Sequence, residues 1–268
     1  MGPLAKEEIV AVSTSHFLLR FNAGQPQKVR DRKAIAGLRA GERLVGIDYR
    51  VARGELYALG ASGQLYRIDV AQARATPVGT GAALPGGTAD TEWGFDFNPT
   101  VDRIRVVNRG GLNMRLHPDT GAQVDGDASL AGVQADSPLA YEAGDTQAGR
   151  APAIVAAGYT YNKTNDKITT NYAIDGAAGT LVRQGSREGE TPLVSPNTGR
   201  LVTVGNLGLG PLAHATLDIS DLSDTAYSAA WAPGGATRWY RVDLATGRAS
   251  FIGTVGMGEN LIGAAIEP

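Results

Sequence analysis

Three aspartates, Asp48, Asp96 and Asp218, occupy one position in three copies of a short motif, VGIDYR, WGFDFN and ATLDIS. Apolar residues alternate in each copy as they do in a strand, so each carboxylate falls in the middle of a core-forming segment. A buried carboxylate persists only when it is paired, hydrogen-bonded or bound to a metal. Two looser copies, AGYTYN and IGAAIEP, place Thr160 and Ala265 at the same position. The three carboxylates with Thr160 and Asn98 form an oxygen-rich set suited to a hard cation such as Ca²⁺, which takes oxygen ligands from carboxylates, hydroxyls, carbonyls and water. An ion held there could activate a water or polarise an ester carbonyl, the chemistry of a lactonase-type hydrolase.

Arginine offers a second way to satisfy the same carboxylates. LYRIDVAQARATPVGTG from Leu65 matches WYRVDLATGRASFIGTVG from Trp239, with looser copies from Leu19, Met114 and Tyr172. This alignment puts Arg20, Arg67, Arg115 and Arg241 at one position, with Ala173 in the remaining copy. A guanidinium fork on each aspartate would tie neighbouring units together with bidentate geometry. The sequence leaves the ion and the arginines open as alternatives.

The elements that must position these residues follow from the repeat. Each hairpin copy is a strand, an Asx- or Gly-type turn and another strand. The aspartate positions recur about 47 to 64 residues apart, the length of one four-stranded propeller blade with its loops. The last copy lies at the C-terminus with no strands after it, whereas the hairpin from Ile9 to Phe21 has no copy before it. Leu261 to Glu267 is therefore expected to fold back as the innermost strand of the first blade and close the ring. The fold class is all-β, a β-propeller of five blades. Six is the alternative if Glu190 to Gly205 carries a cryptic unit, and a β-sandwich pair is a third arrangement compatible with short strands. One helical turn or two is expected around Lys33 to Ala40.

GFDFNPTVDRIRVV with LNMRLHPDTGA, the earlier ERLVGIDYRVARGELYALGASGQLYRID, and the later SPLAYEAGD and VAAGYTYN resemble the bacterial family DUF4394, a domain of unknown function. The resemblance runs from about Ile9 to Pro268. It implies a propeller-like, often exported domain and brings no catalytic residues to carry over. His117, where the family pattern suggests Asn, and an enlarged segment from Ser220 to Thr237 depart from it.

Composition narrows the functions. A net charge of −2 gives no basic surface for nucleic acid. The absence of cysteine excludes disulfides, Cys-ligated metals and a thiol nucleophile. No apolar run is long enough to span a bilayer. There is no G-x-S-x-G, H-E-x-x-H or Walker A motif, and the glycines of GNLGLG from Gly205 precede no helix. Residues 1–8 are read as a tag or disordered leader standing where a signal peptide was removed, and 9–268 as a single domain, extracytoplasmic and monomeric.

Three connections exceed hairpin length: Ala82 to Glu92, Gly132 to Pro152, and Ser220 to Thr237. They are expected to cluster on the face where the innermost strands begin. Glu92, Tyr141, Glu142, Asp145, Tyr227 and Trp231 would then form a face suited to a saccharide or other small molecule, with His214 reaching the channel. The two functions that result are a non-catalytic binding module using that face and a calcium-dependent hydrolase using the channel.

Overall fold

The computed structural model describes residues 2–87, 91–232 and 235–268. The chain folds into five small antiparallel sheets around one axis, a five-bladed β-propeller. Blade I contains β1 (Glu8–Ser13), β2 (Phe17–Asn22) and β3 (Asp31–Ala34). Blade II is β4 (Leu44–Arg50), β5 (Glu55–Gly60), β6 (Leu65–Asp69) and β7 (Arg74–Val78). Blade III is β8 (Trp93–Asn98), β9 (Arg103–Asn108), β10 (Asn113–Leu116) and β11 (Gln123–Val124). Blade IV has β12 (Ala140–Tyr141) added in parallel at its outer edge, then β13 (Ile154–Tyr159), β14 (Asn171–Asp175), β15 (Thr180–Gln184) and β16 (Arg200–Asn206). Blade V begins with the split inner strand β17 (His214–Ala215) and β18 (Asp218–Ile219) and continues through β19 (Ala226–Trp231), β20 (Arg238–Val242) and β21 (Ala249–Thr254). The last strand, β22 (Leu261–Ile266), pairs with β1 and completes blade I from the opposite end of the chain.

Burial falls from the axis to the rim. In blade II every residue of β4 is buried, β6 alternates, and β7 is largely exposed. Inner strands therefore read as near-continuous apolar runs because a neighbouring blade covers each face, while outer strands need only one apolar side. Glycine stands two residues before Asp48 and Asp96, and Gly263 two before Ala265, and makes the close approach of those inner strands possible. A Cβ on Gly46 would lie 2.5 Å from the Phe95 Cβ, and one on Gly94 would lie 2.8 Å from the Ala157 nitrogen. These are backbone-to-blade contacts that no larger residue can enter.

The ring closure and the five-blade count follow the repeat. The segment considered as a sixth unit supplies β16, an ordinary fourth strand of blade IV. The helical turn expected from Lys33 does not form: Lys33 lies in β3, and Ala36 exchanges backbone hydrogen bonds with Ala73 and Ala75 of blade II. Among the described residues helix is confined to two 3₁₀ turns, Val51–Arg53 and Pro196–Thr198. Part of the stretch set apart as a leader is packed. Glu8 opens β1, and buried Glu7 accepts hydrogen bonds from Ser223 and from the Tyr227 hydroxyl of blade V.

Deleting residues 261–268 is expected to abolish cooperative unfolding, because it strips the innermost strand from blade I and opens the ring. By contrast Glu267→Ala, which removes only the half-exposed pair with Arg20, should cost about 1 kcal/mol or less. Thermal melts followed by circular dichroism check both.

Candidate functional site

Asp48, Asp96 and Asp218 meet at the axis. All three are buried, and one ligand oxygen from each lies within 4.8 Å of the other two. The convergence has a backbone cause. An inner strand turns one edge toward the axis, where its amides have no strand to pair with, and a buried N–H must find an acceptor. Asp48 of blade II accepts the Phe97 N–H of blade III at 2.7 Å, and Asp96 of blade III accepts the Tyr159 N–H of blade IV at 3.0 Å. Asp218 of blade V accepts the Ile266 N–H of blade I at 2.5 Å and that of its own neighbour Ile219 at 2.6 Å. Each carboxylate thus latches the next blade.

Burial raises the carboxyl pKa of all three well above the ordinary range, and neighbouring carboxylates add to the rise. Asp218 is pushed up to about 7. The Tyr161 phenol, just past the end of β13, is raised by burial and by the fields of the three aspartates and Asp221. No arginine or lysine is bonded to the cluster among the described residues.

The arginines stand in the same register row but too far out. Cross-strand partners run Asp48, Tyr57, Arg67 in blade II and Asp96, Arg105, Arg115 in blade III. In blade V the row is Asp218, Tyr227, Arg241, and in blade I it is Ala265, Val10, Arg20. A strand always intervenes, so aspartate and arginine are separated by roughly 10 Å, two strand spacings. The arginines pair elsewhere: Arg20 with Glu267 at 2.6 Å, Arg67 with Glu55 at 2.9 Å and Arg115 with Asp136 at 2.7 Å, while Arg241 is exposed. The fork that does join two blades belongs to buried Arg50, whose guanidinium binds Asp102 and, at 2.6 Å, Asp119 of blade III.

Blade IV corrects the repeat alignment, by two residues on the inner strand and by a whole strand in the hairpin. Its row is Gly158, Tyr172, Arg183, so Gly158 rather than Thr160 is the counterpart of the aspartates, and Arg183 rather than Ala173 that of the arginines. The Thr160 hydroxyl is engaged by Glu188 and by the Thr170 amide. The Asn98 side chain caps its own turn, accepting from the Thr100 amide at 2.9 Å. Neither belongs to the aspartate cluster.

The residues expected on one binding face divide into three groups. Glu92, His214 and Trp231 come together: Glu92 Oε1 lies 2.5 Å from His214 Nδ1, and the imidazole stacks on Trp231 with centroids 3.7 Å apart. Trp231 Nε1–H donates to the Leu261 carbonyl at 3.1 Å, so these contacts link blades III, V and I across the channel mouth. Just inside, a cavity of about 20 Å³ lined by Gly46, Gly94, Ala215 and Gly263 leaves room for about one water. Tyr141, Glu142 and Asp145 lie at the outer edge of blade IV, where the Tyr141 hydroxyl donates to Asp175 and Asp145 accepts from Thr203. Tyr227 is core, stacked on Trp239 between blades I and V. Residues 88–90 and 233–234 of the long connections lie outside the described residues.

A cleft of about 470 Å³ opens between blades III and IV, on the opposite face, beside the ends of β8 and β13. Its floor is Arg105, 2% exposed, which donates to Asp136 at 2.5 Å, Asn113 at 2.7 Å, Asn197 at 2.6 Å and the Tyr159 hydroxyl at 3.2 Å. The sequence carries one signal for it: in the second-strand row the other blades have tyrosine or valine, and only blade III has a charge.

With this geometry in view the chain matches the family described as "Domain of unknown function (DUF4394)" over residues 17–265. The chain belongs to the DUF4394 family. Two solved structures have a similar fold. One, described as a nidogen/laminin complex, is 11% identical with a TM-score of 0.51, 98% of each chain being covered. The other, a structural genomics protein of unknown function from Bacteroides thetaiotaomicron, is 12% identical with a TM-score of 0.52, covering 84% of this chain and 55% of that one. No curated protein matches the chain. At these identities the likeness of this DUF4394 domain to the two structures is one of fold alone.

Asp136 holds two guanidinium groups at the cleft floor, those of Arg105 and Arg115. Asp136→Ala leaves Arg105 buried without its anion and should destabilise the domain by about 3–5 kcal/mol. Urea denaturation measures it.

Proposed function

We propose that this domain is a binding propeller built around a hard divalent cation, with calcium the best fit, held by Asp48, Asp96 and Asp218. The observation that carries the reading is the convergence of three buried carboxylates within 4.8 Å without a cationic side chain among their bonded partners. Calcium–oxygen distances of about 2.3–2.6 Å allow oxygens around one ion to be up to roughly 5 Å apart, so a single ion can touch all three residues. Two of the carboxylates spend one oxygen on a neighbouring blade's amide. One oxygen of each of the three lies within 4.8 Å of the others, and water and the Tyr161 phenol would complete the shell.

Binding is favoured over hydrolysis. Ester hydrolysis needs a substrate carbonyl beside the ion, and the channel on the mouth side holds a cavity of only about 20 Å³ under the Glu92, His214 and Trp231 contacts. A cavity with room for about one water leaves no room for an ester on that side. The ion then neutralises the axis and fixes the blades, and ligand recognition falls to the surface of the propeller.

Differential scanning fluorimetry with EDTA and with calcium tests the reading. A ligand at a hundred times its Kd stabilises the folded state by about 2.7 kcal/mol, a rise of roughly 5–10 °C for a chain of this size. Asp96→Asn retains an acceptor for the Tyr159 amide while removing a charge. It should melt at or above the wild-type temperature in EDTA and lose most of the calcium-dependent rise. A wild-type melting temperature indifferent to calcium, with no divalent metal in the purified protein, would overturn the proposal.

A further inference from the structure

The cleft between blades III and IV has a charge that the whole chain does not. The chain carries a net charge of −2, yet five basic side chains, Arg103, Arg105, Arg115, Lys167 and Arg187, line this cleft against one acid, Glu188. Glu188 is turned away, its carboxylate engaged by Thr160 and, at 2.7 Å, by Asn162. Arg105 and Arg115 share Asp136. The remaining three, Arg103, Lys167 and Arg187, have no carboxylate partner among the described residues. Arg103 donates only to the Val101 and Asp102 carbonyls, and the Nε–H of Arg187 is buried without any hydrogen-bond partner. A buried donor left unsatisfied is costly, and the residue that carries it lines the cleft.

The other wall is apolar. Leu193 is 80% exposed and Val101 55% exposed, and both border the cleft with Ile168 and Val124. The volume, about 470 Å³, falls in the range of small-molecule sites, in which apolar walls provide area and a few polar groups fix orientation. A concave site lined by one sign of charge also concentrates the opposite sign from solution.

We propose that this cleft binds a small organic anion, its carboxylate or phosphate head held by Arg187, Lys167 and Arg103 and its apolar part against Leu193, Val101 and Ile168. The inference rests on the domain being a binding module and is independent of the axial ion. Arg105 is the fixed floor. Four of its five N–H donors go to Asp136, Asn113, Asn197 and Tyr159, so it shapes the cleft while the other three cations meet the ligand.

Isothermal titration calorimetry in low salt with three probes tests the assignment: 2-naphthoate, 1-naphthyl phosphate and the uncharged 2-naphthalenemethanol. At least one anion should bind at a single saturable site, at least tenfold more tightly than the alcohol, and the preferred anion identifies the head group. Arg187→Met and Lys167→Met should each weaken the anion about tenfold, about 1.4 kcal/mol, while Arg248→Met, an exposed change on blade V, leaves it unaltered. Lys167 is itself exposed, so its replacement keeps the test valid if the Arg187 variant fails to fold. Affinities should agree in EDTA and in calcium, which separates failure of the cleft from failure of the axial ion. The absence of saturable binding by either anion up to millimolar concentration would overturn the assignment. So would equal binding of the alcohol, or wild-type affinity in a folded Lys167→Met variant.

Discussion

The structure depends on a carboxylate accepting the inward-facing amide of the next blade. In a ring of sheets the innermost strands have no partner on the axial side, and their N–H groups cannot be left in an apolar core. Asp48, Asp96 and Asp218 answer that need at three of the five seams. The answer creates a second problem. Acceptors reaching across a narrow axis bring their negative charges together, and burial makes each one costly. The cation proposed at the centre would resolve it, and the candidate site would then be a by-product of how the ring is closed. At the other two inner positions Ala265 and Gly158 carry no acceptor.

The same row that supplies the aspartates at the axis supplies tyrosine in the second strand and arginine in the third. Moving outward, each position meets more water, and the residue type follows: acceptor, amphipathic ring, long cation. Blade III breaks the pattern by placing Arg105 where blades II, IV and V have tyrosine. A guanidinium there cannot pack as a ring does, and it recruits Asp136, Asn113 and Asn197. Asn113 comes from β10, Asp136 from the connection between blades III and IV, and Asn197 from the 3₁₀ turn of blade IV. Tyr159 joins the two features, giving its backbone N–H to Asp96 and accepting from Arg105 on its hydroxyl.

Periodicity carried the architecture into the sequence. Five copies of one hairpin and an orphan inner strand at the C-terminus were enough for the blade number and the closure, because both depend on spacing and not on side-chain detail. The pairing of Asp with Arg was not legible. Both sets are periodic, yet strand order within a blade keeps them a strand apart, and order cannot be read from a repeat that matches only one hairpin. Blade IV misled for a similar reason: the Tyr-Thr-Tyr-Asn of 159–162 copies the look of Phe-Asp-Phe-Asn at 95–98, while the strand register makes Gly158 the true counterpart. The predicted aromatic and acidic face assembled only in part: Glu92, His214 and Trp231 meet at the channel mouth, while Tyr227 is needed in the core between two blades and Tyr141 lies at the outer edge of blade IV.

Closing the ring with β22 on β1 also sets how the molecule bears force. The two ends of the chain leave from the same end of that strand pair, where the Glu267 amide donates to the Glu8 carbonyl. Tension between the termini therefore loads the hydrogen bonds in sequence, as a zipper opens, and not all at once as in a sheared pair. Pulled by its ends, the propeller yields at blade I first, and blades III and IV, which hold the cleft, are the furthest along the chain from the load.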